Sequence, residues 1–399
     1  MTRNGGIALT AAILLGVLTC GLLGVSPARA DGVAELPELP VPRDRCVEES
    51  ARVLTQRSWA QDRVASRQVM PLTRGQGVVV AVLDTGVSAI APALRGAVLP
   101  GIDVVGGGNA NRDCLGRGTA LAGLVAARPV DGTSFVGVAP AATILPIRIV
   151  DGRGEMPSGS IARGINAAVT GGADVILLGT GTPGATPDLR RAVSAAVTHG
   201  TVIVAAVATA ADRADAPVVW YPAAYPQVIA VGAVDPQGRV VGRPAENSGV
   251  DLAGPGGGAA SIGPSGRGHY RVGGSGVAAA YVAGVAALMR SYQPDLDPDQ
   301  VRERLGRTAE PASDKSMRPW VGAGMVDAFD ALAATRVGAT PFRELPAQPV
   351  VVPQPPPRPR SVALGLTLSA ATAVATALAL AAIATGRQWR RRRAQSRPR

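Results

Sequence analysis

Gly77-Val78-Val79-Val80-Ala81-Val82-Leu83 is an unbroken apolar run, largely β-branched, that ends in Asp84-Thr85-Gly86-Val87. Continuous rather than alternating hydrophobicity is the pattern of a strand buried on both faces of a parallel sheet. Short runs of the same kind recur at residues 143–149, 174–178, 201–207 and 227–234, with helical stretches at 158–170 and 187–199. Strands alternating with helices predict a doubly wound α/β domain, a parallel sheet with helices on both faces and ligands at the carboxyl ends of the strands.

The rest of the chain frames that domain. Of 399 residues, 47% are hydrophobic and 17% charged, which excludes disorder for most of the length. Fifty glycines and thirty-three prolines show no strict period, so a collagen-like repeat is excluded too. The net charge of +11 is largely terminal: seven arginines and no acid lie in residues 387–399. With a near-neutral body, 3% aromatics and no basic helix or zinc-finger spacing, the composition argues against a nucleic-acid partner.

Residues 1–30 have the form of a secretory signal, with Arg3, an apolar run from Gly5 to Val25 and Ala28-Arg29-Ala30 at the cleavage site; an uncleaved anchor is the alternative. From Val362 to Thr385 no residue is charged, a run long enough to cross ~30 Å of hydrocarbon. A single transmembrane helix over 361–386 is therefore expected, after a proline-rich linker at 337–360. The basic tail at 387–399 would be cytoplasmic and the main domain extracytoplasmic, in a single-pass type I arrangement in the cell membrane. With Cys20 removed in the signal, Cys46 and Cys114 remain, an even pair outside the cytoplasm. A disulfide between them would contribute about 3–4 kcal/mol by closing a long loop; two free thiols are the other possibility.

Three segments carry a resemblance to a known family. Asp84-Thr-Gly-Val, Asp113-Cys-Leu-Gly-Arg117-Gly-Thr119 and the run from Gly274-Ser275-Gly276 to Leu288 resemble the Asp, His and Ser motifs of the subtilisin-like serine proteases. With the Cys46/Cys114 pair, linker, span and basic tail, the chain is more closely similar to the mycosins, membrane-anchored subtilases of type VII secretion systems in actinobacteria. The resemblance implies a subtilisin-like domain over 71–336, an N-terminal extension over 31–70 that wraps it, no cofactor, and a type VII secretion membrane complex as partner.

That fold's chemistry needs a hydroxyl nucleophile, an imidazole to carry its proton, a carboxylate to orient the imidazole and a donor for the oxyanion. The resemblance places the carboxylate at Asp84, Arg117 at the histidine position, Gly276 at the serine position and Thr209 at the oxyanion asparagine. A guanidinium has no lone pair for a proton, and glycine has no nucleophile. The sequence therefore points to a pseudoprotease acting in interaction or assembly. The alternatives are residual endopeptidase activity through Ser275, one position early, with His269, or capture of an extended peptide without cleavage. His199 is expected to close a helix, and Asp297, between Asp295 and Asp299, to cap one rather than bind calcium, so no metal site is expected.

Overall fold

The structure, a computed structural model, describes residues 32–41, 45–64, 68–207, 218–242, 244–334, 375–383 and 385–386. The expected signal segment, the linker, the basic tail and Thr209 lie outside them. So does much of the expected span, of which 375–383 and 385–386 are helical. No helix among the described residues is long and apolar enough to cross a membrane. The chain divides into two units, up to Val337 and from Gly338.

In the first unit the strands are β1 (Val79–Asp84), β2 (Ile102–Asp103), β3 (Thr143–Arg148), β4 (Val175–Leu178), β5 (Val202–Ala206), β6 (Ile229–Val234), β7 (Leu252–Pro255), β8 (Ala259–Ile262) and β9 (His269–Val272). The helices are α1 (Trp59–Val64), α2 (Arg117–Ala126), α3 (Ser160–Thr170), α4 (Pro187–Thr198), α5 (Ser275–Tyr292), α6 (Pro298–Thr308), α7 (Arg318–Val321) and α8 (Ala328–Ala333). Seven strands form one parallel sheet in the order β2-β3-β1-β4-β5-β6-β7, and β8 and β9 form an antiparallel pair.

The period of two along each strand divides the core. Val80 and Val82 of β1, Leu177 of β4 and Val204 of β5 pack with α2 and α5 on one face. Ala81, Leu83, Ile176, Leu178 and Ile203 pack with Ile161 and Ile165 of α3 and Leu189 and Val193 of α4 on the other. Both faces are covered, which is why the strands read as continuous apolar runs. The doubly wound expectation is met.

Strand order also locates the site. From β1 the chain passes through α2 to β3 on one side; after α3 it enters β4 on the other side of β1 and continues outward. Connections from β1 and β4 thus diverge, opening a crevice at their carboxyl ends, beside Asp84 and Gly179. The N-terminal extension packs into the same unit. The Leu39 N–H donates to Arg271 O at 3.1 Å and the Arg271 N–H to Pro37 O at 2.7 Å, adding the extension to the edge of β9. Cys46 and Cys114 are joined by a disulfide, and the Val47 N–H donates to Cys114 O at 2.8 Å. At α6, Asp297 accepts from the Gln300 N–H, and the Gln300 side chain accepts from the Asp297 N–H, the cap read from the sequence.

Candidate active site

Asp84 ends β1 and is 0% exposed. Its Oδ1 accepts from the Thr85 N–H at 2.8 Å. Arg117 is the first residue of α2, and its Nε donates to Asp84 Oδ1 at 2.8 Å and Oδ2 at 3.1 Å. The resemblance puts these two residues at the Asp and His positions of the triad, and the structure brings their side chains into an ion pair.

The start of α2 is fixed from several directions. Asp113 Oδ2 accepts from the Thr119 N–H at 2.9 Å and from its Oγ1 at 2.6 Å, while Oδ1 accepts from the Gly116 N–H at 2.8 Å. Burial pushes the Asp113 carboxyl above its ordinary value, against the pull of these hydrogen bonds. Thr85 Oγ1 accepts from the Gly118 N–H at 2.8 Å, so the helix start is tied to the turn that follows Asp84. Arg148, at the end of β3, braces that turn: its Nε donates to Thr85 O at 3.1 Å and its Nη1 to Asp103 Oδ2 at 2.8 Å. The sequence reading missed Arg148, a lone arginine closing an apolar strand.

The chemistry of the pair is not that of a general base. The Asp84 carboxylate raises Arg117 above the ordinary arginine value, with burial acting against it, so the guanidinium stays protonated. Gly276, in the first turn of α5, packs directly on the end of β4: a Cβ there would lie 2.6 Å from Gly179 O and 3.2 Å from Gly179 Cα. Neither atom belongs to a movable side chain. A Cβ on Gly179 would in turn lie 2.4 Å from Leu121 Cδ1 and 3.3 Å from Asp84 Oδ2. Leu121 sits one helical turn beyond Arg117, on the same face of α2, a spacing legible in the sequence.

The substitutes are occupied or buried. Ser275 opens α5 and is 3% exposed. His269 is 2% exposed, its Nδ1 accepts from the Leu54 N–H at 3.2 Å, and its ring stands edge-on to Phe135 with centroids 5.4 Å apart. Burial lowers its pKa to about 4. Its Gly-rich neighbourhood in the sequence reads as a loop, whereas the structure places it in β9, where it ties the extension to the core. His199 closes α4, its N–H donating to Ala195 O, as the sequence indicated. Among the described residues no cluster of His, Cys, Asp and Glu is arranged to hold a metal.

A cavity of about 500 Å³ opens beside Arg117, lined by Thr85, Ala120 and Leu121 on one side, Val277 at α5, Arg153 and Gly154, and residues 38–41 of the extension.

Residues 75–330 match the model of the subtilase family, carrying the degenerate motifs at the ends of β1, α2 and α5. The chain belongs to the subtilase family. Subtilisin DY of Bacillus licheniformis is 34% identical over 255 residues, spanning 64% of this chain and 90% of the relative. Among solved subtilases, the mycosin MycP1 from Mycobacterium smegmatis superposes with a TM-score of 0.64 at 27% identity, covering 80% of this chain and 100% of that one. Another MycP1 structure, described as a serine protease and an essential component of the type VII (ESX-1) secretion system, gives 0.63 at 28% identity, over 76% of this chain and 98% of that one. The resemblance to subtilases and mycosins, read from the motifs and the architecture around them, is thus shown.

Proposed function

We propose that this chain is a subtilase that does not cleave peptide bonds, a mycosin-like component of a type VII secretion system whose former catalytic face serves binding or assembly. The observation that carries the reading is the backbone contact at the nucleophile position, where Gly179 O stands 2.6 Å from the point at which any side chain on Gly276 would begin. Gly276 supplies no hydroxyl, and the packing leaves no space for one. The ion pair with Asp84 supports it further, because the residue at the base position is a cation held by the carboxylate that would otherwise orient an imidazole. In a subtilisin, loss of the serine or the histidine alone costs on the order of 10⁶ in turnover, and the losses do not add. The secretion partner rests on similarity to MycP1. The signal at 1–30, the span at 361–386 and the extracytoplasmic placement rest on the sequence alone.

The test is labelling of the purified protein with a fluorophosphonate serine-hydrolase probe, beside a Ser275→Ala variant and an active subtilase. No labelling above the Ser275→Ala background is expected. Labelling that disappears in Ser275→Ala would overturn the reading and establish a displaced nucleophile.

A further inference from the structure

We propose that the cavity beside Arg117 is a receptor for a carboxylate carried by an extended peptide, formed by the outer edge of the Arg117 guanidinium and the side chain of Arg153. The inference rests on the non-cleaving reading, since a captured peptide must survive in the cleft.

A guanidinium presents five N–H donors in a rigid plane. Asp84 uses one of them: both carboxylate oxygens accept from Nε, and Nη1 and Nη2 have no partner among the described residues. Four donors are thus left on the edge of a side chain that lines the cavity and is 39% exposed. The ion pair fixes this edge in place, so little conformational freedom remains to be lost when an acceptor arrives.

Arg153 reaches the same cavity from the segment after β3. Asp151 Oδ1 accepts from the Arg153 and Glu155 N–H groups, both at 2.9 Å, which holds the turn, and the Arg153 side chain has no partner among the described residues. The acid that lines the cavity, Glu38, is taken by Arg271 at 2.7 Å. Arg117 is paired with Asp84 and Arg271 with Glu38, so among the described lining residues Arg153 is the cation without a carboxylate partner, which suits a ligand carrying a single negative charge. Leu121 and Val277 supply apolar wall, so acceptor and donors meet partly out of water, where charge-assisted hydrogen bonds are strong. Residues 38–41 of the extension line the cavity, and there the Leu39 N–H donates to Arg271 O at 3.1 Å, so this wall already accepts a main chain alongside it, favouring a peptide.

The carboxylate has two sources, an acidic side chain or a chain terminus. Three short Ala/Ser peptides with a neutral dye distinguish them in anisotropy titrations of the full-length protein in detergent. One carries a central Glu and an amidated end, one a central Gln and a free carboxyl end, and one a central Gln and an amidated end. At least one carboxylate peptide is expected to bind about tenfold or more tightly than the neutral one, and the tighter one identifies the source. Arg153→Gln, remote from the Asp84 pair, should remove most of that preference. Arg117→Lys, which keeps the charge and loses the planar fork, should weaken the same peptide severalfold. Equal binding of all three peptides, binding of none, or an unchanged preference in a folded Arg153→Gln would overturn the proposal. Mass spectrometry of the peptides separates the two readings. Cleavage sinks the non-cleaving reading while leaving the initial carboxylate preference measurable; intact peptides without a preference sink the receptor alone.

Discussion

Replacing Arg117 by alanine removes the partner of a carboxylate that is itself 0% exposed. Breaking a fully buried pair by deleting one partner costs about 3–5 kcal/mol, because the survivor is left charged and unpaired. Here the estimate is reduced, since the Arg117 side chain is 39% exposed and its deletion opens a path for water. Asp84 also keeps the Thr85 N–H at 2.8 Å. About 2–3 kcal/mol is therefore expected, or roughly 5–10 °C in Tm for a domain of this size. The reverse deletion, Asp84→Asn, leaves a guanidinium that reaches water, and should cost only about 1 kcal/mol. Urea unfolding of both single variants and the double variant completes a cycle whose coupling should be about 1–2 kcal/mol. An Arg117→Ala variant within ~0.5 kcal/mol of the unaltered protein, or an Asp84→Asn change more damaging than Arg117→Ala, would refute this account of the pair.

Gly276→Ala should destabilise by about 1–3 kcal/mol in the same assay, because the new methyl meets the backbone of Gly179 and helix α5 must move to admit it. Arg117→His combined with Gly276→Ser should remain unlabelled by fluorophosphonate. Cys46→Ser with Cys114→Ser should cost about 4 kcal/mol on the chain-entropy account for a loop of 68 residues, and a reducing agent should reproduce the loss in the unaltered protein. For His269 the folded pKa, about 4, lies below the ordinary 6.5, so between those values the unfolded chain binds the extra proton. Its contribution is complete above pH 6.5 and declines towards pH 4, by up to about 3 kcal/mol. His269→Gln should flatten that part of the stability profile, and an unchanged slope would refute the assignment.

What the sequence revealed and what it withheld separate along physical lines. The run before Asp84 was readable because a strand covered on both faces must be apolar at every position, and the structure puts Val80 and Val82 against one layer and Ala81 and Leu83 against the other. The pairing of Asp84 with Arg117 was readable because the family resemblance put both residues at the site and their charges are opposite. Edge strands were not: β2 has two residues, and β7 reads Leu-Ala-Gly-Pro, so neither shows a period. The role of His269 was hidden for the same reason, since β9 exists by pairing with β8 and with the extension, and its local Gly-rich text says loop.

The contact of Gly276 with Gly179 was least legible, because two glycines far apart in the chain carry no signal that their backbones meet. Yet that contact changes what the missing serine means. A lost side chain on an open helix start would be restorable by one substitution, whereas a helix packed onto Gly179 O, beside a Leu121 that would obstruct any larger residue at 179, has consumed the space the nucleophile requires. Arg117 completes the change, holding Asp84 through Nε while its remaining donors face the cavity. On the proposed reading, loss of catalysis and gain of an anion-facing edge would both follow from one rearrangement at the carboxyl ends of β1 and β4.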